Sequence, residues 1–89
     1  MPVISIFFGI TIYMYFIDNK KHKKPHIHAQ YQNKEAVVSI SEGRVLDGSL
    51  PSAKIKLVLA WVEIHKEDLL ADWQLAVKGQ NPLPIDPLR

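Results

Sequence analysis

Apolar and polar residues alternate along the first half of the chain, and the period lengthens to that of a helix in the second. Val3 to Phe8 reads as a first strand, and Gly9 marks a turn or bulge. Ile10 to Ile17 reads as a second strand. On it Ile10, Ile12, Met14 and Phe16 point one way, and Thr11, Tyr13 and Tyr15 the other. The first set is the expected core face. Asp18 to Pro25 is a polar connection, in which Pro25 holds Lys24 in extended geometry.

His26 to Gln32 alternates again. Ile27, Ala29 and Tyr31 share one face, and His26, His28, Gln30 and Gln32 share the other. Asn33-Lys34 is the expected turn, and Glu35 to Ser41 the fourth strand, with Ala36, Val38 and Ile40 inward. Glu42-Gly43 turns the chain, Arg44 to Leu46 adds a short fifth strand, and Asp47-Gly48 closes the β region.

From Ser52 to Lys78 the apolar spacing is three to four. Ile55, Val58, Val62, His65, Leu69, Trp73 and Ala76 form a stripe, widened by Leu57, Trp61, Ile64 and Leu75. Pro51 suits the first turn, with Ser49 near the cap, and Gly79 suits the stop. The spacing predicts one long helix over 52–78. At 1.5 Å per residue it would run about 40 Å, longer than the strands, so a kink or break is expected around His65–Asp68. Its overhanging end is a natural homodimer contact. Trp61 and Trp73 lie within the stripe and are expected in the core or at that contact. The tail, residues 80–89, carries Pro82, Pro84 and Pro87 and is expected to be extended, laying Leu83, Ile85 and Leu88 on the body. The fold class is α+β: an antiparallel meander of four to five strands packed by one C-terminal helix. The 89 residues are expected to form a single domain.

Composition sharpens this in two places. The first 17 residues carry no charge, and lysines follow soon after Asp18, as in a short signal anchor. No basic region precedes them, they contain neither Leu nor Ala, and Gly9 divides them into strand-length pieces. A hairpin outside the membrane is therefore expected. The absence of cysteine excludes disulfides and thiolate metal sites and fits the cytoplasm.

The net charge is +2, and it is local. Residues 1–45 hold six Lys/Arg against three Asp/Glu, whereas residues 46–89 hold five against six. Lys20, Lys21, Lys23 and Lys24 make the difference, and such a cluster suits phosphate. Tyr13, Tyr15 or Tyr31 would supply stacking surfaces for bases, although they do not all share a face with the histidines. His26 and His28, at i and i+2 on a strand, share a face roughly 7 Å apart. They are the candidate catalytic bases, in the manner of a metal-independent nuclease. They are equally candidate ligands for a divalent metal, with His22 and His65 to complete the set. Opposed to these uses stand plain structural ones: exposed sheet histidines, and a hydrogen-bonded core His65.

Met14-Tyr15-Phe16, Lys24-Pro25-His26-Ile27-His28-Ala29, Glu35-Ala36-Val37, Gly48-Ser49-Leu50-Pro51 and a helix with Trp61, His65, Leu69, Leu70 and Trp73 occur together. In this combination the chain resembles a prokaryotic family known as domain of unknown function 4160. The resemblance implies no established activity. It implies a small protein, of a kind often encoded beside another small protein and linked to regulation or toxin–antitoxin-like pairs. It also makes His26, His28 and His65 look like a family signature. Lysines stand here before Pro25 where many relatives have prolines. The expectation is a small cytoplasmic interaction module that binds a protein partner or nucleic acid through the basic His/Lys segment, with no cofactor. A histidine-based nuclease and a metal-binding protein are the alternatives, and a binding role is expected ahead of an enzymatic one.

Overall fold

Two short hairpins set the geometry of the sheet. In the computed structural model, which describes residues 2–15 and 24–89, β1 (Val3–Phe7) and β2 (Ile10–Tyr13) are joined by Phe8-Gly9. Both loop residues have positive φ, 50° and 77°, the requirement of the two-residue turn whose twist matches the strands. β3 (His26–Tyr31) and β4 (Lys34–Ser39) are joined by Gln32-Asn33, one residue earlier than the sequence suggests. There Gln32 takes the positive φ, 55°. β5 (Val45–Gly48) completes an antiparallel sheet in the order β1-β2-β3-β4-β5.

The second strand is shorter than its alternation promises. It ends at Tyr13, and Met14 donates its N–H to the Pro2 carbonyl at 3.1 Å. Phe16 and Ile17 lie outside the described residues. Register then decides the faces. Ile12 stands opposite Ala29 and Ala29 opposite Ala36, and all three are fully buried, with Ile10, Ile27, Val38 and Ile40. These side chains meet Val58, Trp61, Val62, Leu69, Trp73 and Ala76 in one apolar core between sheet and helices.

The single kinked helix expected from the period is instead two helices, α1 (Ser52–Ile64) and α2 (Lys66–Val77). His65, at φ −108° and ψ 23°, lies between them. No Gly or Pro forces the break. A straight helix over 52–77 would be about 39 Å long, whereas the molecule's longest extent is 33 Å. Bending at His65 keeps Val58, Trp61 and Val62 of α1, and Leu69, Trp73 and Ala76 of α2, on the same sheet. α2 ends with paired hydrogen bonds, Gln80 N–H to Leu75 O at 2.9 Å and Gly79 N–H to Ala76 O at 3.0 Å.

Residues 80–89 form neither helix nor strand and are fastened at three points. Leu83 N–H donates to Asp72 Oδ1 at 3.0 Å, Ile85 N–H to Ile4 O at 2.8 Å, and Trp61 Nε1–H to Asp86 O at 2.8 Å. They thereby join α2, β1 and α1.

Candidate functional site

A row of rings is assembled by pairing across β2 and β3, on the residues of opposite parity to Ile12 and Ala29. Tyr13 stands directly opposite His28, so the two share a face. Tyr15 and His26 follow on it by two-residue periodicity. The rings form a row. Tyr13 and Tyr15 are parallel with centroids 6.3 Å apart, and Tyr15 meets His28 edge-on at 4.3 Å. His28 meets His26 at 5.3 Å, and His26 meets Trp73 of α2 at 4.8 Å. The row runs from the buried Trp73 and His26 to the half-buried His28, Tyr15 and Tyr13. Thr11 and Gln30 beside it are also half-buried, and Ile6 is exposed. Toward β4 the face is closed at Val37 and Ser39. Tyr31 does not belong to the row. It lies on the core side, where Lys54 Nζ sits 4.8 Å from its ring centroid.

The two histidines of β3 have different surroundings. His26 is 1% exposed, and its Nδ1–H donates to the Lys24 carbonyl at 2.7 Å, which fixes the tautomer. Such a ring is placed to hold the start of β3 rather than to meet a substrate. His28 is more accessible, and its Nδ1 lies 3.5 Å from Glu35 Oε2 on β4. A carboxylate on that side orients the imidazole.

Of the four lysines, Lys24 is described. Its Nζ lies 3.1 Å from Glu42 Oε1, and Arg44 Nε lies 3.3 Å from the same oxygen. The Lys24 hydrogen bond, and then the Arg44 charge, hold the Glu42 carboxyl below its usual range. Lys24 is thus already engaged. Lys20, Lys21, His22 and Lys23 lie outside the described residues, as does Asp18.

Of the proposed metal set, His22 lies outside the described residues, and His26, His28 and His65 are not grouped together. Among the described residues no three His, Asp or Glu side chains are grouped to hold an ion. His65 is not part of the histidine row. Its ring packs on Trp61 at 5.5 Å, and it lines a separate cavity of about 320 Å³ with Asp68, Ala71, Asp72, Leu83, Pro84, Ile85 and Asp86. Sequence reasoning missed this cavity and placed Asp68 at the expected interruption of the helix. A signal was present, since Asp72 falls on the buried stripe between Leu69 and Ala76 at three- and four-residue spacing.

Asp72 is 3% exposed. Its Oδ1 accepts the Leu83 N–H, and its Oδ2 has no hydrogen-bond donor among the described residues. Burial pushes the carboxyl above its usual range and the Asp68 charge adds to this, while the Leu83 N–H acts the other way. Below the unfolded value both states hold the proton and Asp72 is neutral to stability. As pH rises the unfolded chain loses the proton first, and the folded state is weakened until its own raised value is passed. Asp72→Asn, which keeps an acceptor for Leu83, is therefore expected to stabilise the protein at neutral pH. Urea midpoints of the two chains should converge near about pH 3, below the ordinary carboxyl range; a constant gap would contradict the argument.

Fold and surface together define a small α+β chain: an antiparallel meander, two helices packed on it, and an aromatic–histidine row carried by β2 and β3 that ends against Trp73 of α2. Residues 9–74 match the family described as Domain of unknown function (DUF4160), and the chain belongs to that family. No curated protein and no solved structure matches it. No described helix is long and apolar enough to cross a membrane.

Proposed function

We propose that this chain is a small binding module whose ligand is single-stranded nucleic acid, received along Tyr13, Tyr15 and His28. The observation that carries the reading is the ring row itself. Bases stack on tyrosine and histidine faces without regard to sequence. Charge supports it. Residues 18–24 hold four Lys and one Asp, a net of +3, while the rest of the chain holds seven basic and eight acidic residues, a net of −1. That basic run is the connection between the two strands that carry the rings, so phosphate-binding groups adjoin stacking groups in the chain. Such a module would suit one member of a regulatory or toxin–antitoxin-like pair in the cytoplasm.

A titration of labelled oligouridine by fluorescence anisotropy tests the reading. Each base–tyrosine stack is worth about 1–3 kcal/mol, so Tyr13→Ala and Tyr15→Ala should each weaken binding by about fivefold or more. With Lys24 held by Glu42, three lysines remain for phosphates, and log K should fall with log salt at a slope of about −2. Absence of binding at low salt, or tyrosine variants that bind as well as the parent, would sink the idea. A protein partner is the second reading, favoured by Val3, Ile6 and Phe8, which are 43%, 62% and 55% exposed on and beside β1. Ile6→Glu would then abolish partner binding and leave oligouridine binding nearly intact.

A further inference from the structure

We infer that the cavity around Asp72 is a second binding site, for an alkyl-ammonium or alkyl-guanidinium group. It shares no residue with the aromatic row. Three of its lining residues are carboxylates, Asp68 and Asp72 from α2 and Asp86 from the tail; His65 also lines it, and among the described residues no Lys or Arg does. A group of acids on a surface is ordinarily just solvated. Asp72 is different, because it is 3% exposed and its Oδ2 has no donor among the described residues. A carboxylate oxygen left unpaired in that position is costly, and N–H donors on a cation remove the cost. The same side chain already uses Oδ1 to hold Leu83, so a donor bound at Asp72 would also tie the tail to α2.

The rest of the lining selects among cations. Ala71, Leu83, Pro84 and Ile85 present hydrocarbon next to the acids. A hydrated inorganic ion gains nothing from such a wall, and no cation-holding group of three acids or histidines is formed among the described residues. A methylene chain ending in an ammonium or guanidinium matches both parts of the lining. That chemistry is carried by a lysine or arginine side chain of another protein and by free polyamines.

The test is an NMR titration of the full chain with agmatine and, separately, with acetyl-Gly-Arg-Gly-amide, read at the amides of Ala71 and Leu83. Both probes should saturate and shift these two amides. Tighter binding of the peptide would assign the site to a partner's side chain, and tighter binding of agmatine to a free polyamine. Asp72→Asn, which keeps the Leu83 hydrogen bond, should weaken binding by about 30-fold or more, as removal of one buried charge partner does. Glu67→Gln, an exposed acid of α2 outside this cavity, should leave it within about twofold, as surface ion pairs do. Asp68→Asn provides a second variant should Asp72→Asn fold poorly, and it should weaken binding by several-fold. No saturation by about 10 mM would overturn the inference. So would Asp72→Asn binding like the parent, or Glu67→Gln losing as much as Asp72→Asn.

Discussion

Trp61→Ala is expected to destabilise the protein by about 3–5 kcal/mol, close to the whole stability of many small domains. Trp61 is fully buried, and its ring centroid lies 5.2 Å from that of Phe7 on β1 and 5.5 Å from that of His65 between the helices. Its Nε1–H reaches the Asp86 carbonyl at 2.8 Å. One side chain of α1 therefore joins the sheet, the residue between the helices and the tail. Truncation would leave a cavity where these parts of the chain meet and take the donor from the Asp86 carbonyl. Trp61→Phe separates the two effects, since it retains most of the apolar volume and loses the hydrogen bond. It should cost about 1–2 kcal/mol. Urea unfolding of both variants checks this, and equal losses would mean that packing is not the larger part.

Gly48→Ala is expected to cost roughly 2–4 kcal/mol, from a left-handed backbone and an overpacked contact together. Gly48 has φ +72°, and a Cβ built there would lie 2.2 Å from the Glu35 carbonyl oxygen and 3.2 Å from the Ala36 Cα. Both neighbours are backbone, so neither can swing aside. The same carbonyl accepts the Ser49 N–H at 3.1 Å, and moving it would disturb the end of β5. Gly43 supplies the comparison. Its φ is +65°, but a Cβ there meets nothing within 4 Å. Gly43→Ala should therefore show the backbone component alone, about 1 kcal/mol. If the two substitutions cost the same, close approach at Gly48 is not what matters.

The alternation of Ile10, Ile12 and Met14 against Tyr13 and Tyr15 was enough to assign the faces of the sheet, because each residue's side follows from its parity. It was not enough to end the second strand, since Met14 bonds to Pro2 rather than to a strand partner. The break at His65 was expected from the length of the helix and not from any residue that forces it. No breaker is present, and the limit comes from the size of the sheet that the helices must cover. Parity also explains why Tyr13 joins His28 and Tyr31 does not, once the register of β2 against β3 is known.

The histidine pair was conspicuous in the sequence, yet its two members differ in role. His26 is closed in by Trp73 and bonded to its own chain at Lys24, and neither contact is encoded in the spacing of two histidines. The reverse holds for Asp72. A carboxylate on a helix stripe looks like an irregularity until the chain returns, 11 residues later, to offer it the Leu83 N–H. Local pattern marks which residues share a surface, and distant chain segments decide which of them are buried.

The hydrogen bond from Ile85 to Ile4 has a consequence for biosynthesis. The sheet is built from neighbours in sequence, hairpin after hairpin, and can begin to form while the chain is still being made. The contact with β1 spans 81 residues and waits for a segment translated long after its partner. Until then the edge of β1 is available to other strands, and a pause in elongation before residue 85 would lengthen the interval in which nascent chains can pair with one another.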